Sequence, residues 1–234
     1  MFLSFEFYWS FRSPYSYIAL PRVIALTEDF TVNVEMRVVH PAAIRNPAYF
    51  RAMNPLSRPY FLRDSAREAA FRGLPFRRPQ PDPIVQDSKT LAIAEHQPYA
   101  HRLGRLGVAA SERGRGLAFC SEVSRVLWDG SVDNWHQGDH LARAAERAGL
   151  DLAELDRVVA AEPERHETVL AANDVALRTA GHWGVPTAVF QGEPFFGQDR
   201  LETLIWRLRQ HGLKPRAHIK SEVPASIKEG GQTA

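Results

Sequence analysis

The 234-residue chain contains one cysteine, Cys120. A single thiol excludes an intrachain disulfide, dithiol redox chemistry within the chain and a Cys-rich zinc site. Lysine is also scarce. Of 29 basic residues only four are Lys, and the rest are Arg. Charge of one sign is missing as well: 29 Lys+Arg against 27 Asp+Glu leaves a formal net charge of +2. So balanced a chain gives no general electrostatic argument for a nucleic-acid partner or an anionic membrane. No apolar run approaches the roughly 18 residues that a membrane span needs. The aromatic N-terminus MFLSFEFYWSFRSPYSY, interrupted by Glu6 and Arg12, has no basic segment followed by an apolar one, so no signal peptide is expected. Together these absences predict a soluble protein of the reducing cytoplasm, without membrane or nucleic acid.

The apolar fraction is 44% and the charged fraction 24%, near the averages for globular chains, so a packed core can form. At about 100–200 residues per domain, the length fits one large domain or a domain with a sizeable insertion. No internal repeat is present.

Residues 2–9 are dense in aromatics and read as a strand. Tyr17, Ile18, Leu20 and Ile24 recur at helical spacing between Pro14 and Thr27, with Pro21 inside the pattern. Residues 31–39 alternate, with Val32, Val34, Met36 and Val38 on one side, as a half-buried strand does. This β–α–β opening favours a parallel pair with a right-handed crossover. A Pro-punctuated stretch, a helix from about Tyr60 to Phe71 and a Pro-rich loop over 74–83 follow. Helices are expected over 88–105, 111–128, 137–148, 151–161 and 164–180, with Gly107, Gly130 and Gly149 as stop signals. Two short strands come next, Val185–Gln191 and one beginning at Pro194, joined by a turn at Gly192–Glu193. Asp199 is placed to cap a final helix over 200–210.

The expected fold is therefore an α/β sandwich of order βαβ…ββα with a large all-helical insertion. Residues 1–39 and 182–213 form the sandwich, 40–181 the insertion, and the polar stretch 214–234 a flexible tail.

The chemistry concentrates at three points. Ser13 precedes Pro14, which suits the first helical position. A helix start offers unpaired N–H donors and partial positive charge, so an anion is stabilised there, and a hydroxyl adds a donor. Ser13 has no evident base beside it, so it suits holding a thiolate better than acting as a nucleophile. Val185–Pro186 opens a strand facing that helix start and is expected to be cis, presenting the Val185 backbone to a ligand. Gln198–Asp199 precedes the last helix. Asp199 can accept an ammonium while the helix start receives a carboxylate, as an α-amino acid end requires. Trp9, Phe11 and Tyr15 flank Ser13 and could line an aromatic substrate pocket.

Ser-x-x-Ser at residues 13–16, Gly-Val-Pro-Thr at 184–187 and Phe-Phe-Gly-Gln-Asp-Arg-Leu at 195–201 together resemble a known family. It comprises the 2-hydroxychromene-2-carboxylate isomerases and kappa-class glutathione transferases, thioredoxin-like relatives of the bacterial disulfide oxidases. The resemblance covers roughly residues 3–210 and implies glutathione as cosubstrate, a small aromatic organic substrate and a homodimer. It assigns Ser13 the catalytic position and Ser16 the second Cys position of the redox relatives. It further assigns Val185 and Pro186 to pairing with the tripeptide backbone, and Gln198 and Asp199 to the γ-glutamyl end. The family's glycyl-end Asn and Lys have less direct counterparts. Asn46–Pro47 and Asn54–Pro55 both fit the Asn, with Asn46 preferred, and Arg58 replaces the Lys. The implied reaction is isomerisation by addition and elimination of the glutathione thiolate at an unsaturated carbon. A transferase that keeps the adduct and a non-catalytic binding module are the alternatives.

No metal site is expected. His136 and His140 are four apart but lack the HExxH glutamate, and His96 and His101 point in different directions. His40 could border the active site. Cys120 packs as a small hydrophobe.

Overall fold

The structure is a computed structural model that describes residues 2–87, 90 and 92–216. Four strands, β1 (Leu3–Trp9), β2 (Val32–Val38), β3 (Thr187–Phe190) and β4 (Glu193–Phe196), form one sheet in the order β2-β1-β3-β4. β1 and β2 run parallel, as the crossover through α1 (Pro14–Asp29) requires. β3 pairs antiparallel with β1, and β4 antiparallel with β3. The βαβ…ββα frame is as expected from the sequence.

Alternation along β1 divides the interior. Phe5, Phe7 and Trp9 enter the main core, whereas Tyr8 joins Val39, Leu177 and Val189 in a smaller cluster. The main core continues without a break from α1 and α10 (Leu201–Gln210) into the inserted helices. These are α2 (Ala42–Arg45), α3 (Pro47–Ala52), α4 (Ser57–Phe71), α5 (Pro98–Glu112), α6 (Gly116–Trp128), α7 (His140–Arg147), α8 (Leu152–Ala161) and α9 (Pro163–Thr179). Two buried hydrogen bonds stitch insertion to sandwich. Trp128 Nε1 donates to the Phe11 carbonyl at 2.9 Å, and Asn173 Nδ2 to the Val38 carbonyl at 2.9 Å.

Gly107 is not a helix stop. It lies inside α5, where a Cβ would stand 3.0 Å from both Phe11 Cε2 and Val38 Cγ2. The missing side chain lets the helix lie against β2. The break falls at 113–115 instead, so the two helices are 98–112 and 116–128 rather than 88–105 and 111–128. Residues 214–216 are also not tail. The Thr31 N–H donates to the Lys214 carbonyl at 2.8 Å, Arg216 N–H to the Asp29 carbonyl at 2.7 Å, and Pro215 bridges Phe30. The remainder of the expected tail, 217–234, lies outside the described residues.

Candidate functional site

Ser13 is the N-cap of α1, with extended backbone angles (φ −90°, ψ 116°) and Pro14 behind it. Its Oγ accepts the Ser16 N–H at 3.2 Å, which is the capping bond, and donates to the Val185 carbonyl at 3.3 Å. The start of the first helix and the loop before β3 are thereby joined. The Val185–Pro186 bond is cis, as expected. The Val185 N–H has no partner among the described residues. On the far side of the proline, the Pro186 carbonyl accepts the Gly197 N–H at 2.8 Å. This bond ties the loop to Gln198 and Asp199.

Those two residues do not cap α10. They form a short 3-10 turn, Gln198–Arg200, and no side chain caps the helix after it. Asp199 instead pairs with Arg200 Nη1 at 2.8 Å, with its side chain 54% exposed. Gly197 makes the turn possible. Its φ is 106°, and a Cβ there would lie 2.4 Å from Asp199 Oδ1. Arg22, on α1, donates through Nη1 to the Gln198 carbonyl at 2.9 Å, which fixes the turn against the same helix that carries Ser13.

The aromatic flank is only partly available. Trp9 is 0% and Phe11 4% exposed. They pack edge-to-face with centroids 4.4 Å apart, so both belong to the core and do not line an open pocket. Trp9 ends β1, and Phe11, just beyond it, packs against Gly107 of α5 and Phe119 of α6. Tyr15 alone stays near the surface, its hydroxyl donating to Asp64 Oδ2 at 2.6 Å. Burial, and then the Asp64 carboxylate, raise the Tyr15 pKa, so the hydroxyl stays protonated. Ser16 is fully buried and its Oγ has no partner among the described residues. Asn46 ends α2 and Arg58 lies in the first turn of α4, where it makes no ion pair with a described residue.

Two acids that the sequence reading missed shape the site. Asp82 receives Arg12 Nε at 2.8 Å and Nη2 at 3.0 Å, a bidentate pair next to Ser13, and also Arg78 Nη2 and the Ile84 N–H, each at 3.0 Å. Burial raises the Asp82 pKa, but Arg12 and its hydrogen bonds prevail and hold it below the ordinary range. Asp64 is the second: it accepts the Tyr15 hydroxyl, and that hydrogen bond holds its carboxyl below the ordinary range. Their partners lie 70 and 49 residues away, beyond any local spacing signal. Cys120 is buried in α6, and burial raises its thiol pKa far above the ordinary value. It is not available as a nucleophile. Two cavities, of about 340 Å³ beside β2 and about 540 Å³ beside α9, are bounded by other residues and not by Ser13.

A family model for the DSBA-like thioredoxin domain matches residues 5–209. The chain belongs to the DSBA-like thioredoxin domain family. Its fold is thus thioredoxin-like, with the helical block as the insertion. A 2-hydroxychromene-2-carboxylate isomerase superposes with TM-score 0.65 at 20% identity, over 89% of this chain and 96% of that one. A probable DsbA oxidoreductase from Streptomyces coelicolor gives 0.62 at 20% identity, over 94% of each chain. The cytosolic disulfide reductase DsbM from Pseudomonas aeruginosa, solved with GSH, gives 0.55 at 18% identity, over 88% of this chain and all of that one. Comparison with curated proteins finds no match. Among the described residues, no helix is long and apolar enough to cross a membrane.

Proposed function

We propose that this DSBA-like chain is a glutathione-dependent isomerase acting on a small, unsaturated, aromatic-derived substrate. The observation that carries the reading is the Ser13 hydroxyl at the start of α1, 3.3 Å from the Val185 carbonyl, in a chain whose one thiol is buried. A thiol-disulfide exchange needs an accessible thiolate, and among its own residues the chain offers a hydroxyl there instead. The sulfur must come from outside.

The residues fit the tripeptide. Among the described residues the Val185 N–H is an unpartnered backbone donor, and the Val185 carbonyl accepts only the Ser13 hydroxyl. When that hydroxyl turns toward a bound sulfur, the carbonyl is freed to accept a peptide N–H, so Val185 offers a complete strand edge. Asp199 is exposed beside the 3-10 turn and supplies the anion for an α-ammonium. Gln198, whose side-chain amide has no partner among the described residues, supplies a further donor. Asn46 and Arg58 complete the set at the glycyl end.

Glutathione, when bound, supplies a thiolate that adds to an unsaturated carbon and leaves again after rotation. The start of α1 lowers the thiol pKa, and each unit gained near neutral pH raises the thiolate fraction up to about tenfold. Ser13 holds the sulfur by one hydrogen bond throughout. Tyr15, kept protonated, borders the substrate side. We infer a homodimer from the family resemblance, and a cytoplasmic setting from the single cysteine.

Calorimetric titration with glutathione, followed by an assay of cis–trans conversion with glutathione recovery, tests the proposal. Saturable binding with full recovery supports it. Stoichiometric consumption of glutathione means a transferase, and no binding means a module without this chemistry.

A further inference from the structure

His40, His101 and Glu167 come from three separate places: the segment after β2, the first turns of α5, and α9. One ligating atom from each can be chosen so that all lie within 4.8 Å of one another. His40 Nε2 is 2.6 Å from Glu167 Oε2, and His101 Nδ1 is 2.8 Å from Glu167 Oε1. His40 is 8% exposed, and Gly104 makes the room for its ring. A Cβ at that position would stand 3.0 Å from His40 Cε1 and 3.1 Å from Nδ1.

We propose that His40, His101 and Glu167 bind one borderline divalent cation of the zinc type, clamping the inserted helices to the end of β2. Two imidazoles and one carboxylate are a donor set for zinc, with a fourth position left to water. Magnesium and calcium prefer all-oxygen sets and are disfavoured here. Arg105 Nε donates to Glu167 Oε1 at 2.7 Å. It leaves Oε2, the oxygen facing His40, as the ligating atom, and acts as the outer hydrogen bond that orients a ligating carboxylate. On binding, each imidazole presents a bare nitrogen. A neutral ring then carries its proton on the other nitrogen. In His40 that nitrogen, Nδ1, has no partner among the described residues, so no neighbour there locks the opposite tautomer.

The clamp reaches the candidate active site. Arg45 Nε donates to the His40 carbonyl at 2.6 Å, and Arg45 Nη2 to the Trp183 carbonyl at 3.2 Å, two residues before Val185. The three residues give no local spacing signal, since His40 and His101 lie 127 and 66 residues from Glu167.

The test is calorimetric titration of the chelator-treated full-length chain with zinc chloride, repeated with cobalt to read the visible ligand-field bands. One equivalent of zinc is expected. Loss of outer partners alone costs about 10–100-fold in metal affinity, so His101→Ala and Glu167→Gln, both at partly exposed positions, should each weaken zinc binding at least about tenfold. His96→Ala, on the exposed segment before α5, should not. Zinc should raise the melting temperature of the parent and not of the two ligand variants, whose melts also report that they fold. No saturable uptake, or unchanged zinc affinity in folded His101→Ala and Glu167→Gln, would overturn the proposal. In that case the three residues are an ion-pair knot and nothing more.

Discussion

Ser13 Oγ and the Val185 carbonyl lie 3.3 Å apart across 172 residues of sequence. This single bond joins the start of the first helix to the loop before the third strand, on either side of the whole helical insertion. It also ties up the two groups that the proposed function uses together. The hydroxyl is a donor for a sulfur, and the carbonyl is an acceptor for a peptide N–H.

Asp199 carries the proposed recognition of the α-ammonium, and the fold does not depend on it, since it caps no helix. Asp199→Asn should lower glutathione affinity by about 1.5 kcal/mol, roughly tenfold, at the low end for a charge-assisted bond because the side chain is exposed. Calorimetry at matched pH and ionic strength measures the affinity, and a thermal melt should show parent-like stability. Equal affinities would place the ligand's amino end elsewhere.

Gly197 sets the position of Asp199. With φ at 106° and no room for a Cβ, Gly197→Ala should destabilise the chain by about 1–3 kcal/mol. It should also reduce glutathione affinity through the displaced carboxylate. A chemical melt reads the first effect and calorimetry the second. A variant as stable as the parent would contradict the strain argument.

The Arg12–Asp82 pair braces the turn before Ser13. The folded-state pKa of Asp82 is lowered, so its contribution is fully present above the ordinary carboxylate pKa of the unfolded chain. It is lost as pH falls through the lower folded value. Asp82→Asn should therefore cost about 1–2 kcal/mol at pH 7, a range reduced because both side chains keep some solvent contact. The variant should lose less than the parent on acidification below about pH 4. Urea melts at a series of pH values give the difference. Parallel curves would show that the pair does not support the fold.

Much of this architecture is legible in the sequence because it follows from local periodicity. The alternation of Val32, Val34, Met36 and Val38 identifies β2. Ser13 followed by Pro14 marks the start of α1. Glycine misleads where it serves packing. Gly107 reads as a stop, yet it sits inside α5 because β2 and Phe11 come within 3.0 Å of where a Cβ would stand. Gly107→Ala should cost about 1–3 kcal/mol by overpacking, measured by melt. Asp199 reads as a cap because the sequence does not reveal the 3-10 turn that separates it from α10. Trp9 and Phe11 read as pocket residues because proximity in sequence to Ser13 says nothing about which side of β1 the insertion covers. Asp82, Asp64 and Glu167 give no signal at all, since each acts through partners far along the chain.

The most direct test of the account is the thiolate absorbance of the protein–glutathione complex against pH, for the parent, Ser13→Ala and Ser16→Ala. Losing one hydrogen bond to a charged sulfur is worth about 1.5–3 kcal/mol, so Ser13→Ala should raise the pKa of bound glutathione by roughly one to two units. Tripeptide affinity, resting on Val185, Gln198 and Asp199, should stay nearly unchanged. The lost cap should cost about 1 kcal/mol of fold stability. Ser16→Ala should titrate like the parent, because Ser16 is fully buried. A parent-like titration in Ser13→Ala would contradict the assignment of Ser13 and, with it, the glutathione-dependent reading of the site.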